Sequence, residues 1–235
     1  MDFSCYVKQS IITNPRKYKS WYEPLPSSPT DLLQIVQGLV IHGDQGKLYG
    51  VSFSKHQLEE ELLRTVPQML EKLFQIEQSP LDSIRPPQLR LIGMCRDYAL
   101  LLVSFLRYKG IPARLRVGFA SYFESELMYE DHWLIEYYDL EKQRWVRMDA
   151  QLDEIQKAHY GITFNTENMP SDAGYLLGGH AWTLCRSGKQ HPEDFGYNKN
   201  WKGWHSVKGN LLHDFNSLLG LELLPWDLWT ELSTK

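Results

Sequence analysis

Cys95, His132 and Asp149 are the residues whose types suit nucleophilic chemistry: a thiol, an imidazole 37 residues on and a carboxylate 17 residues further. A thiolate attacks a carbonyl carbon, an imidazole takes and returns the proton, and a carboxylate fixes the tautomer of the imidazole. Cys95 opens an apolar helical stretch. First-turn backbone N–H groups and the helix dipole there favour the thiolate over the thiol. Taken singly, each residue has a plainer reading. Free cysteine is commonly a small buried apolar side chain, and a polar residue at a strand end serves turns and caps. The combination is what points to chemistry.

Two strand candidates, 132–138 and 143–149, position the second and third groups. Paired across Asp139-Leu140-Glu141-Lys142, with Tyr138 facing Gln143, they put His132 opposite Asp149. Opposed side chains on one face lie about 5 Å apart at Cβ, close enough for an imidazole to hydrogen-bond a carboxylate. The first group needs a helix. From Met94 to Lys109, Tyr98, Leu101, Leu102 and Phe105 form one apolar row, with Ala99, Val103 and Leu106 beside it. A helix apolar over so much of its circumference is buried, and Gly110-Ile111-Pro112 ends it. The alternation from Ala113 to Phe119 predicts a strand with Arg114 and Arg116 on a solvated face. Upstream, Thr30 or Asp31 is expected to cap a helix through about Val40 that stops at Gly43. A second helix, from about Lys55 to Gln78, is expected to kink or split at Pro67. Downstream, helical patches fall near Asp172–Cys185 and Val207–Leu221. A helix followed by a run of strands argues an α+β fold.

The stretch Gly93-Met94-Cys95-Arg96-Asp97-Tyr98-Ala99-Leu100-Leu101, the turn Gly110-Ile111-Pro112-Ala113-Arg114, the strand start Asp131-His132-Trp133 and the strand end Val146-Arg147-Met148-Asp149 together resemble the core of the transglutaminase-like family. The resemblance covers about Leu91 to Asp153. It implies a papain-like arrangement, with a nucleophile helix packed on an antiparallel sheet, and the catalytic roles of Cys95, His132 and Asp149. Two positions depart from the family pattern. Trp133 follows the histidine without the usual small residue between, and Ala150 stands where a proline often follows the aspartate. Both leave the substrate type open. The stretch Gly179-His180-Ala181-Trp182 to Gly220 and the ending Leu224-Pro225-Trp226-Asp227-Leu228-Trp229 are similar to an extension in a bacterial subgroup of unknown role.

The implied chemistry is thiol acyl transfer on a protein, peptide or small amide substrate. Hydrolysis is favoured over amine transfer, because water is the default acceptor in an open site. The Cys95 N–H is the first oxyanion donor and Gln88 a candidate second one. The alternative is a catalytically silent transglutaminase-like binding module. No cofactor motif is present. His180, Cys185, His191, His205 and His213 fit no zinc spacing, so no metal is expected. The tryptophans from Trp182 onward are read as core rather than as a substrate groove.

A net charge of −4 over 235 residues gives no electrostatic reason to expect nucleic acid. No run is long enough for a membrane span, and the polar start does not resemble a signal peptide. Three scattered cysteines suit a reducing compartment, so a cytoplasmic protein is expected. The oligomeric state is open. One domain is expected over 1–235, with a catalytic core over 85–153. Gln151 to Lys157 has no Pro/Gly/Ser linker, so 154–235 is expected to pack on that core as an extension.

Overall fold

The computed structural model describes residues 3–123 and 126–227. Leu228 and Trp229, part of the ending noted above, lie outside them. In chain order the elements are α1 (Ser4–Val7), α2 (Pro29–Leu39), β1 (Val40–His42), α3 (Val66–Ile76), β2 (Leu91–Gly93), α4 (Cys95–Tyr108), β3 (Ala113–Ala120), β4 (Tyr129–Asp139), β5 (Arg144–Met148), α5 (Glu154–His159), β6 (Tyr175–Leu177), α6 (Gly178–Arg186), β7 (Phe195–Asn198), β8 (Trp201–Lys202) and α7 (Trp204–Leu218), with short 3₁₀ turns between some of them. The fold is α+β, with α4 packed on a mostly antiparallel sheet.

A helix with so little polar surface has to be surrounded, and α4 is: every residue from Arg96 to Arg107 is buried. Its apolar rows pack with Leu33 and Val36 of α2, with Leu70 of α3 and with Val117, Trp133 and Ile135 of the sheet. Truncating one such side chain to alanine costs about 2–5 kcal/mol. The buried arginines of α4 are satisfied locally. Arg96 donates to the carbonyls of Leu63, Arg64, Glu222 and Leu223, and Arg107 pairs with Glu222 at 2.8 Å.

The sheet runs in the order β6-β3-β4-β7-β8, with β5 also pairing β4. β3 accompanies β4 antiparallel from Glu130 to Tyr137. The other edge of β4 is shared. β5 pairs with it from Ile135 to Asp139, and β7 runs parallel to it at Tyr129 and Glu130. His132 falls in the interval between those two partners, where the edge opens.

Several expectations change. The β4–β5 register pairs Ile135 with Met148 and Asp139 with Arg144, so the turn is Leu140–Gln143 rather than 139–142. Gln143, at φ 51°, takes the left-handed turn position. The register is therefore two residues from the expected one. Continued, it puts Asp149 opposite Leu134 and makes the His132–Asp149 relation diagonal. A slip of two preserves the face, because side chains alternate with period two.

The cap of α2 is Ser28, which accepts from the Asp31 N–H, rather than Thr30 or Asp31. Pro29 follows it at the first helical position, where no N–H is needed. Val40–His42 is strand, paired parallel with Leu91–Gly93. Residues 57–62 are a 3₁₀ turn, and the α-helix begins only at Val66 behind a Thr65–Gln68 capping box. Pro67 thus starts a helix instead of interrupting one. The patch near 172–185 divides into β6 and α6.

Arg114 and Arg116 do not face solvent. Arg116 is 8% exposed and bonds Asp214 of α7 and Glu136 of β4, with Arg114 on the same Glu136. The expected solvated face is covered at Arg116 because α7 lies on β3. Asp214 also accepts from the Val117 N–H at 2.9 Å. Where α6 meets α7, a Cβ on Gly178 would stand 2.5 Å from the Asn210 carbonyl oxygen, so only glycine allows that approach. No helix among the described residues is long and apolar enough to cross a membrane.

Candidate active site

Short β2 delivers Met94 to the N-cap of α4, and Cys95 becomes the first residue of the helix. Asp97 closes that turn by accepting from the Met94 N–H at 2.9 Å, while Arg96 Nη1 holds its other oxygen at 2.9 Å. The Cys95 N–H lies in the first turn, where no intrahelical acceptor exists. His132 approaches the thiol from β4 and lowers its pKa.

His132 is 1% exposed and Asp149 fully buried. The imidazole Nε2 lies 2.7 Å from Asp149 Oδ2, which leaves Nδ1 as the nitrogen for Cys95. The same Oδ2 accepts from Tyr122 Oη–H at 2.7 Å, and Oδ1 accepts from the Gln151 N–H at 3.1 Å. Asp149 itself is tied by its N–H to the Thr166 carbonyl at 2.9 Å. Rings wall the imidazole in edgewise, Phe123 at 4.9 Å and Tyr122 at 5.9 Å between centroids. The structure therefore brings Cys95, His132 and Asp149 together, with His132 bonded to Asp149 and sharing one cavity with Cys95.

The electrostatics of that group differ from the sequence expectation at its first member. Burial pushes the Cys95 thiol up, and the His132 hydrogen bond and charge pull it down by less, so its pKa is raised. The helix start alone does not produce a resting thiolate. For His132, burial opposes the charge, but Asp149 and then Cys95 outweigh it and hold the imidazole up at about 10. Asp149 thus favours the charged imidazole, the form that can pair with a Cys95 thiolate and donate a proton to a leaving group.

Cys95 and His132 sit in a cavity of about 340 Å³. One wall is the turn after β1, with His42, Asp44 and Gln45; another is Tyr197, Trp201 and Trp226, from the C-terminal part of the chain. Trp201 and Trp226 are therefore not simply core, being 48% and 42% exposed. Gln88 does not line the cavity. His42 does, brought there by pairing with Gly93, two residues before Cys95. Its Nδ1 accepts from the Asp44 N–H at 3.2 Å, which leaves the ring proton on Nε2. Burial holds His42 down at about 4, with Asp44 opposing and His132 adding to the effect, so the ring is neutral.

Three participants escaped the sequence reading: His42, Tyr122 and Asn210. Tyr122 lies in an irregular loop with no periodicity, and a three-residue strand such as β1 is too short to alternate. Asn210 Nδ2 reaches from α7 to Asp131 Oδ1 at 2.9 Å and to the Gly118 carbonyl at 2.8 Å. Only the fold could reveal that contact. Cys5 is exposed, Cys185 is buried and all three cysteines are free.

Residues 59–150 match the transglutaminase-like superfamily. No curated protein matches the chain. Among solved structures, a Cytophaga hutchinsonii protein provisionally assigned as a cysteine protease aligns with a TM-score of 0.42 and 16% identity, covering 75% of this chain. The alignment spans 46% of that protein, less than half its length.

Proposed function

Residues 59–150 belong to the transglutaminase-like superfamily, and from that premise we propose that the protein is a cysteine-dependent acyl-transfer enzyme acting on an amide or peptide bond, with water favoured as acceptor. Cys95 Sγ, its proton already held on His132 Nδ1, attacks the carbonyl carbon. The C–N bond of the tetrahedral intermediate then breaks, and His132 returns the proton to the departing amine, leaving an S-acyl Cys95. Water, deprotonated by His132, resolves the thioester to a carboxylic acid; a primary amine in its place would give a new amide. Asp149 keeps the imidazole oriented and stabilises its charge, and Tyr122 and the Gln151 N–H orient Asp149 in turn. The oxyanion is received by the Cys95 N–H and, in place of Gln88, by the His42 Nε2–H.

The observation that carries this reading is the placement of Cys95 beside His132, itself bonded to Asp149, at the wall of an open cavity. In the same proposal the chain acts as one domain, 85–153 as core and 154–235 packed on it. The Arg116–Asp214 and Arg107–Glu222 pairs across that boundary support it. The three free cysteines fit a cytoplasmic setting.

The test is a screen of peptide and small-amide libraries with and without an added primary amine. Release of amine that needs no added acceptor and is lost in Cys95→Ala is the expected result. Turnover that survives Cys95→Ala, or none with any amide, would remove the reading.

A further inference from the structure

Buried carboxylates in this protein have arginine partners almost everywhere. Asp97 has Arg96, Glu222 has Arg107, Asp214 has Arg116, and Glu136 has both Arg114 and Arg116. The cavity beside Cys95 breaks that habit. Asp44, Glu61 and Asp131 line it, less buried than those paired carboxylates, and among the described residues no lysine or arginine does. Glu61 is held against the turn after β1, since a Cβ on Gly43 would meet its Oε1 at 2.1 Å. Asp44 takes a hydrogen bond from Tyr197 at 3.1 Å, and Asp131 one from Asn210 at 2.9 Å. Both are neutral donors, so the charge on Asp44 and Asp131 is not offset by a lysine or arginine as it is elsewhere.

A second observation points to a donor ligand. Gln151 is 4% exposed and lies on the cavity wall, and its Oε1 acceptor has no hydrogen-bond partner. A buried acceptor left open costs about 1–3 kcal/mol unless something donates to it. The remaining wall is aromatic, with Phe123, Tyr197, Trp201 and Trp226 presenting rings. Ring faces attract cations, most strongly where water is excluded. Anionic side chains, an open acceptor and aromatic rings together specify a positively charged group.

We propose that this cavity selects amide substrates carrying a cation, an ammonium or guanidinium group held beside the reacting carbonyl; the proposal rests on the acyl-transfer reading of the same cavity. The strain among the carboxylates agrees with it. Burial, then Asp44 and Asp97, raise Glu61 to about 7, and burial raises Asp131 to about 6 although Asn210 and His132 oppose it. A bound cation would relieve both.

The test reads the cavity charge without needing turnover. Cys95 is labelled with a trimethylammonium-ethyl and, separately, a sulfonato-ethyl methanethiosulfonate, and both rates are read by peptide mass spectrometry. The urea-unfolded chain supplies the reference ratio. The cationic reagent should gain about tenfold or more over the anionic one relative to that reference. The gain should shrink in the Asp44→Asn/Glu61→Gln double variant. A folded-state ratio equal to the reference overturns the proposal, as does one that the double variant leaves unchanged. In parallel, amides differing only in a free or acetylated lysine side chain are compared, and the free amine should give the higher kcat/KM. No turnover of either would count against acyl transfer, while the labelling ratio would still decide the charge selectivity.

Discussion

Two stretches of the same strand, four residues apart, handle buried charge in opposite ways. At Glu136 three arginines converge, Arg114 at 2.8 Å, Arg116 at 2.6 Å and Arg147 at 3.4 Å. Burial raises that carboxyl and the arginines outweigh it, so its pKa is lowered. At Asp131 and His132 no arginine is near, Asp131 is raised, and the imidazole is charged only by what Asp149 and Cys95 offer. The arginine end is satisfied within the chain, and its charges serve the fold. The open end is left for a ligand and a reaction to complete, the usual sign of a site whose groups are poised rather than neutralised.

The comparison is broken most severely at the reactive end by Asp149→Asn. The variant should stay folded, because the Thr166, Tyr122 and Gln151 contacts can persist, yet kcat should fall about 10³- to 10⁴-fold through the wrong imidazole tautomer. Steady-state kinetics beside a thermal melt check it, and an active variant would remove Asp149 from the group. At the arginine end, Arg116→Met should do the reverse. It strands Asp214 and part of Glu136, so stability should drop by about 3–5 kcal/mol in urea titrations. The rate of Cys95 alkylation per folded molecule should be unchanged. A variant that is stable but unreactive would mean that the two ends are coupled.

How much of this was legible beforehand depended on the length of each signal. The α4 helix, with fourteen residues and two apolar rows, was read nearly to the residue. Cys95, His132 and Asp149 could be named because one opens that helix, one sits on β4 and one directly follows β5. The pairing was wrong by two, since loop length alone does not reveal that Gln143 takes a left-handed turn position. The face survived because two is the strand period. The solvated reading failed for Arg116 because α7, about a hundred residues away, supplies Asp214, and for Arg114 because Tyr6 and Trp145 cover it. His42 and Tyr122 had no local pattern to announce them; they join the site through a three-residue strand pairing and a loop.

A gentler probe sharpens the contrast through pH. His132 holds its proton more tightly folded, at about 10 against 6.5, so its stabilising contribution is complete below about 6.5 and is lost as pH rises through 10. Glu61, at about 7 against 4.5, acts in the same sense in a lower window, and its contribution is lost as pH rises through 7. Glu136, lowered from 4.5, does the opposite and loses its contribution as pH falls through its depressed pKa. The open end should therefore weaken with alkali and the arginine end with acid. Melting temperatures from pH 4 to 10 should show Glu61→Gln flattening the decline between about 4.5 and 7 while leaving the acid limb intact. An unaltered decline would mean that Glu61 is not held in the raised state its surroundings impose.

The central claim is that Cys95 takes the acyl group. The direct measurement is to mix the protein with an activated acyl ester, quench in acid within the first turnover and locate the added mass by peptide mapping. One acyl group should reside on Cys95 in the native protein. It should accumulate when Asp149→Asn slows its release and be absent in Cys95→Ser. Acyl mass on Cys5, Cys185 or a lysine with Cys95 unmodified would contradict the account.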